Sequence, residues 1–243
     1  MEGIKSESVF SKSLGWAIIR AYYASFFAAH AILRLFGRAC VQFDPEHMRK
    51  IDEIAQAVNL VSDDFHLESG FYDLVFENSS KILTASKVED SHADTWKAFK
   101  NLINSLIENI DRTTAISKNK VETIDYLIKI KSNLSKSNSA DRLNWLSKLR
   151  NNINYKHQYG VWFPHLNQLY DSKEIIRKVA YWKNNPADSI NVECTHDVEV
   201  FMTTTVSLVA LLKELLIQIC SRGESKNVFS DHALKAINLL RAT

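Results

Sequence analysis

Glycine and proline are scarce in this chain, which has six glycines and three prolines among 243 residues. A protein built from many turns or long irregular loops needs more of both, because they supply the backbone conformations of turns. The scarcity argues against an all-β fold and favours helices throughout. With 46% hydrophobic and 24% charged residues, the chain has the composition of a globular protein with a sizeable core.

Cysteine is also scarce, and the three cysteines have no spacing that suits a metal site. Neither a disulfide framework nor a zinc site is indicated, and a reducing, cytoplasmic compartment is the simplest setting. Five of the eight histidines likewise form no metal-binding spacing: His47, His66, His92, His196 and His232. The sequence has no glycine-rich phosphate loop and no nucleophile elbow, which argues against P-loop enzymes and α/β-hydrolases. We therefore expect no metal and no cofactor.

One hydrophobic run near the N-terminus raises the question of a membrane span. Residues 14–36 are largely apolar, but Arg20, His30 and Arg34 interrupt them. An arginine well inside a bilayer costs about 3 kcal/mol. We expect a buried core helix here and no membrane association, and the first residues lack the basic region and cleavage site of a signal peptide.

Positive charge is concentrated in the middle of the chain. Residues 112–156 carry ten Lys or Arg against three Asp or Glu, a net charge of +7, whereas the rest of the chain carries −5. A solvated helical face is one interpretation of this segment. The other is a surface that binds a phosphate backbone.

Hydrophobic periodicity and capping residues predict about eight or nine helices in one all-α domain over residues 1–243. A short strand is also expected near residues 190–193. The predicted helices span residues 13–36, 45–60 with Asp44 as N-cap, 70–85, 91–112, 121–134, 140–159, 172–183, 197–221 and 231–241.

The most informative feature is the pair Arg150 and His157 near the end of the predicted helix 140–159, which Gly160 closes. In a helix, seven residues turn through about 700°, so the two side chains point within about 20° of each other and lie roughly 10 Å apart. The same face is otherwise apolar. A desolvated arginine needs a polar partner, which is either another chain or an anion. Arginine for phosphate charge and histidine for proton transfer are the minimum for cutting a phosphodiester.

Other histidines and aromatics favour structural roles. Arg150 and His157 themselves have the alternative of a structural pair that holds the helix to its neighbour. His30 is expected to be a core histidine, and Tyr22 and Tyr23 to be packing residues. His165 follows Trp162, Phe163 and Pro164. For this cluster we favour an aromatic plug that closes the core, and the alternative is a surface that stacks on a base.

Two stretches together resemble the HEPN superfamily (higher eukaryotes and prokaryotes nucleotide-binding). The first is Arg20-Ala21-Tyr22-Tyr23-Ala24-Ser25-Phe26-Phe27-Ala28-Ala29-His30-Ala31, which is similar to the family's early helix. The second is its motif of Arg and His separated by four to six residues, matched by Arg150 and His157, with the usual polar residue after the arginine supplied by Asn151. The likeness covers these stretches within about residues 13–160.

The resemblance implies an all-α bundle with additional C-terminal helices: a core over residues 13–160 and an extension over 161–243 packed on it. It implies a homodimer with a composite active site, a metal-independent endoribonuclease that leaves a 2′,3′-cyclic phosphate, and a cytoplasmic effector or toxin of anti-phage defence with an antitoxin or sensor partner. Arg150, His157 and Asn151 would be catalytic. RNA-binding support would come from Asn154, Lys148 and Lys156, and Tyr159 would be a site of adenylylation. The alternative is a catalytically inactive HEPN-like module that binds a nucleotide or a partner protein.

Overall fold

A computed structural model of the chain describes residues 13–58, 61, 66–114, 118–136, 144–162, 171–222, 232 and 235. The described chain is mostly helical, with one small antiparallel sheet and two short 3-10 turns, at Gln158–Gly160 and Val179–Lys183. The elements are α1 (Leu14–Leu35), β1 (Arg38–Phe43), α2 (Pro45–Ala57), β2 (Gly70–Glu77), β3 (Ile82–Val88), α3 (Ser91–Asp111), α4 (Lys118–Leu134), α5 (Trp145–Lys156), α6 (Ser172–Lys178), α7 (Pro186–Ile190) and α8 (Asp197–Arg222).

Most of the predicted helices are confirmed to within a few residues at each end. Their caps explain why they begin where they do. The Asp44 carboxylate accepts a hydrogen bond from the backbone N–H of His47 at the start of α2, and Pro45 occupies the first helical position. Asp90 caps α3 in the same way. Of the predicted helix 231–241 the structure describes only His232 and Lys235, both helical, and residues 140–143 of the predicted helix 140–159 lie outside the described residues.

Helix α1 is the centre of the core, packed against α3, α5 and α8. Nearly all of its length is apolar, and thirteen of its residues are buried. Helix α8 packs along it and buries a run of hydroxyl side chains, Thr203 to Thr205 among them. These hydroxyls are tolerated in the core because they donate to carbonyls three or four residues earlier in the same helix. One hydrophobic cluster therefore joins the N-terminal and C-terminal helices of the described chain.

The helix predicted for residues 70–85 is wrong, and the predicted all-α fold holds only in part, as a mostly helical chain with a small sheet. This segment forms the hairpin of β2 and β3, and β1 pairs antiparallel with β2 to complete a three-stranded sheet. The polar residues between Glu77 and Ile82 form the hairpin turn, with Lys81 in the left-handed region at a φ of 60°. Arg38 of β1 binds the Asp73 carboxylate of β2 through Nε at 3.0 Å and through a second nitrogen. The short strand predicted near 190–193 is also wrong, because α7 ends at Ile190 and bends and irregular backbone follow.

Among the described residues, two helices are long and apolar enough to cross a membrane by length and composition alone, α1 and α8. The apolar window of α1 is 61% buried inside the protein and that of α8 is 50% buried. The interior of a folded core explains the hydrophobicity of α1 without a bilayer.

Candidate active site

Arg150 on α5 is held against the rings of two tyrosines of α1. Its side chain is buried, with 6% of its surface exposed. The guanidinium carbon lies 5.0 Å from the ring centroid of Tyr22 and 5.5 Å from that of Tyr23, both distances typical of cation–π contacts. The buried Nε has no hydrogen-bond partner among the described residues. Arg150 is thus a buried cation that aromatic faces hold in place and that no described carboxylate neutralises.

The Tyr22 hydroxyl joins three elements around this arginine. It lies 2.8 Å from Nδ1 of His92 on α3 and 2.6 Å from the Ser147 hydroxyl on α5. The Trp96 indole N–H also donates to it, at 3.4 Å. Tyr22 and Ser147 are buried, whereas His92 is half-buried at the start of α3. The network links the core to an imidazole that reaches the surface.

Burial changes the protonation of this network. Desolvation raises the pKa of Tyr22, although its hydrogen bonds to Ser147 and Trp96 and the charge of Arg150 oppose the rise. Desolvation lowers the pKa of His92, and the Arg150 charge lowers it further against the opposing effect of Asp90. The His92 imidazole is therefore neutral at neutral pH. On the next turns of α1, burial lowers the pKa of His30 to about 4, with smaller contributions from Arg34 and His92.

His157 does not lie on the helix with Arg150. Helix α5 ends at Lys156, three residues before the predicted end, and His157 adopts the left-handed conformation at a φ of 51°. The phase argument of seven helical residues therefore does not apply to this pair. His157 is exposed, and its ring lies 6.4 Å from the ring of Trp162.

Trp162 packs beside His157 and joins α5 to α1. Its indole N–H donates to the Ile153 carbonyl at 2.7 Å, and its ring meets that of Trp16 edge-on at 5.6 Å. The ring also covers Gly15, where a Cβ atom would lie 2.8 Å from it, so only glycine permits the close approach. The expected plug therefore includes Trp162, which contacts α1, whereas His165 lies outside the described residues.

Three of the predicted site residues line a groove on the side of α5 that faces away from Arg150. Lys148, Asn151 and Lys156 contribute to a groove of about 1030 Å³ between α5 and the β3–α3 junction. At 100° per residue, their directions lie at least about 100° from that of Arg150. Four lysines line the groove, together with three acids, of which Asp90 and Asp94 accept backbone N–H bonds at the start of α3. The lining residues are Lys87 to Asp90, Ala93, Asp94, Lys97, Asn144, Lys148, Asn151, Asn152, Tyr155 and Lys156.

The other two predicted site residues, Asn154 and Tyr159, do not line this groove. Asn154 is half-buried on α5, and Tyr159 is half-buried, packs against the core and has a φ of 68°. A single chain therefore assembles Arg150 with the tyrosines of α1, and places His157 and the groove residues elsewhere.

An exposed aromatic stripe runs along α1 between the Arg150 cluster and His157. Trp16, Tyr23 and Phe27 lie on one side of the helix, within about 40° of one another. Trp16 is 55% exposed, Phe27 is 65% exposed and Tyr23 is 38% exposed. Arg150 contacts the stripe at Tyr23, and Trp162, which contacts His157, meets it at Trp16. Large aromatics exposed side by side are typical of surfaces that bind another protein.

Sequence reasoning missed the role of His92. It was considered only as a metal ligand, and among the described residues no three His, Cys, Asp or Glu side chains come together as a metal site. The signal that could have found it is local: Asp90 caps a helix two residues earlier, which places His92 in the first turn. Tyr22 packs in the core as expected, but its hydroxyl also organises the polar network.

No family model, curated protein or solved structure matches this chain. The HEPN assignment therefore stays a prediction from the two sequence stretches and the residues they contain.

Proposed function

We propose that this chain is a metal-independent endoribonuclease of HEPN type that cleaves RNA by attack of the 2′-hydroxyl. The observation that carries the proposal is Arg150, a buried cation that has, among the described residues, no ion pair to a carboxylate and no hydrogen-bond partner for its Nε. Such a cation is costly to bury, because desolvation removes its hydration without supplying an opposite charge. An anionic ligand offsets this cost, and a planar guanidinium suits the oxygens of a phosphate.

The roles of the motif residues follow from the resemblance and from their chemistry. Arg150 holds the scissile phosphate and stabilises the charge that develops on it. His157 transfers a proton, and Asn151 orients the substrate. The groove that Lys148, Asn151 and Lys156 line on the other side of α5 binds the flanking RNA backbone, with Asn154 on the same helix.

The aromatic stripe of Trp16, Tyr23 and Phe27 forms the interface of a homodimer. It lies between the Arg150 cluster and His157, so a second copy seated on it brings motif residues of both chains to one cleft. The same cleft excludes water from Arg150, which strengthens its attraction to a phosphate. On the resemblance alone, we assign the activity to cytoplasmic anti-phage defence or a toxin–antitoxin system with an antitoxin or sensor partner.

A charge in the stripe tests the dimer. We expect Phe27→Glu to raise the dissociation constant of the dimer at least about 100-fold, because a carboxylate would be buried in an apolar interface. Sedimentation velocity over a dilution series measures the constant. The matched control is Ile54→Glu, at an exposed isoleucine of α2, which should leave the dimer intact. A chain that is monomeric before mutation, or a Phe27→Glu dimer as tight as wild type, contradicts this interface.

A second candidate function is the inactive HEPN-like module that binds a nucleotide or a partner protein. The burial of Arg150 favours it, because in one chain Tyr22 and Tyr23 cover the guanidinium. The position of His157, which contacts Trp162 and not these tyrosines, favours it as well. Under this function Arg150 holds α5 to α1, and the groove beside α5 takes the ligand.

RNA cleavage in excess chelator separates the two functions. Purified chain is incubated with total tRNA and with a long single-stranded RNA, beside His157→Ala and the control His47→Ala, which alters an exposed histidine of α2. We expect discrete fragments with 2′,3′-cyclic phosphate and 5′-hydroxyl ends by mass spectrometry. The His157→Ala rate should fall at least about 100-fold, as loss of a proton-transfer group does, and the control should match wild type. Intact RNA from a folded dimer overturns the nuclease and supports the inactive module.

A further inference from the structure

The Tyr22 hydroxyl is hydrogen-bonded to His92, Ser147 and Trp96 beside the Arg150 guanidinium, and these bonds allow two arrangements of its proton. The Trp96 N–H only donates, so the hydroxyl accepts from it and has one further acceptor position and one proton to give. It either gives its proton to His92 and accepts from Ser147, or accepts from His92 and gives its proton to Ser147. In the second arrangement Nδ1 of His92 donates and Nε2 is the atom that gains or loses a proton. The second arrangement therefore serves both the neutral base and the protonated imidazole, and rotation of the two hydroxyls fits the network to either neutral tautomer.

His92 and Arg150 share the same two rings. The imidazole centroid lies 5.8 Å from that of Tyr22 and 6.4 Å from that of Tyr23, the rings that the Arg150 guanidinium also contacts. His92 is half-buried and reaches the aromatic stripe at Tyr23. His157, in contrast, contacts Trp162, which meets α1 at Trp16, two turns or roughly 10 Å along the helix from Tyr23. Among the described histidines of one chain, His92 thus lies beside Arg150.

We propose that His92 is a catalytic residue of this site, which takes the 2′-hydroxyl proton at Nε2 beside the phosphate that Arg150 binds. The inference rests on the proposed function. The reaction needs two proton-transfer groups: the 2′-oxygen loses a proton to one and bonds to phosphorus, the bond from phosphorus to the 5′-oxygen breaks, and the 5′-oxygen takes a proton from the other. His92 is the base and His157 is the acid. Burial and the Arg150 charge keep His92 neutral, which is the state that a base requires.

His92→Asn tests this role without removing the hydrogen bond to Tyr22. The asparagine amide reaches the position of Nδ1 but cannot transfer a proton. We expect its melting temperature and RNA binding to stay near those of wild type while cleavage falls at least about 100-fold. His92→Ala should lose cleavage as well, and added imidazole should restore part of it. The control is His30→Asn, which alters a half-buried histidine of α1 bonded to Thr95 and not to Tyr22, and which should cleave within a few-fold of wild type.

The outcomes separate the inference from the proposed function. If wild type leaves RNA intact, both fail. If wild type cleaves and His157→Ala does not, while His92→Asn cleaves at the wild-type rate, the nuclease stands and the role of His92 is overturned. If His92→Asn unfolds, His92→Ala decides: cleavage restored by imidazole supports proton transfer, and cleavage lost without rescue overturns it in favour of a structural role.

Discussion

Trp96→Ala is expected to lower the free energy of unfolding by about 3–5 kcal/mol, the range for removing a large buried aromatic side chain. Trp96 is 0% exposed at the centre of the core, with ring contacts to Tyr22, Phe26 and Phe99 at 6.3, 6.0 and 6.1 Å. Its replacement leaves a cavity between α1 and α3 and removes a donor from the Tyr22 hydroxyl. Urea denaturation followed by far-UV circular dichroism measures the loss.

Tyr155→Ala is the matched control for this prediction. Tyr155 is an aromatic of similar size on α5, but it is 69% exposed beside the groove. Its replacement should change the free energy of unfolding by less than about 0.5 kcal/mol. Equal losses for the two variants would mean that Trp96 does not lie in the core described above.

The helices could be predicted because their signals are local. A capping aspartate, a proline in the first turn and apolar residues at helical spacing are all read within one segment, as Asp44 and Pro45 show for α2. The hydrophobicity of α1 and α8 likewise indicated burial, and both pack in the core. Such signals do not depend on what the rest of the chain does.

The sheet was missed because its strands have a pattern that helices share. β2 has apolar residues at both helical and strand spacing, and the prediction gave too little weight to the polar residues after Glu77 that form the turn. The β3 strand is exposed along nearly its whole length, so the alternation of buried and exposed residues that marks a strand is absent. Pairing between strands, a non-local interaction, decides the structure of this segment.

The candidate site could be predicted only in part for the same reason. Arg150 was identified from the motif, and the structure gives it a buried position beside α1. The helix end at His157 could not be read from Gly160, because left-handed residues begin three positions earlier. Helix packing brings His92 to Tyr22 across 70 residues of sequence, and no spacing rule reports a contact of this kind.

Arg150→Met should separate the function of the buried arginine from its contribution to stability. Methionine has a similar length, packs well against aromatic rings and removes a cation whose Nε has no partner in the described part of the chain. The lost cation–π contacts with Tyr22 and Tyr23 act in the opposite direction, with about 2 kcal/mol because they are desolvated, and this loss is of the same order as the gain from removing the buried charge. We therefore expect the free energy of unfolding to stay within about 1 kcal/mol of wild type, while RNA cleavage falls at least about 100-fold for want of the phosphate-binding group.

Two further variants at the same position sharpen the test. Arg150→Ala leaves a cavity against the two tyrosines, so it should lose both stability and cleavage, whereas Arg150→Lys keeps the charge but not the planar fork that matches a phosphate. Urea unfolding and RNA cleavage are measured on the same preparations. If Arg150→Met destabilised the chain by about 3 kcal/mol and cleaved RNA normally, Arg150 would be a structural residue that ties α5 to α1. Intact stability with lost cleavage means instead that the chain retains a costly buried cation because the cation binds the substrate.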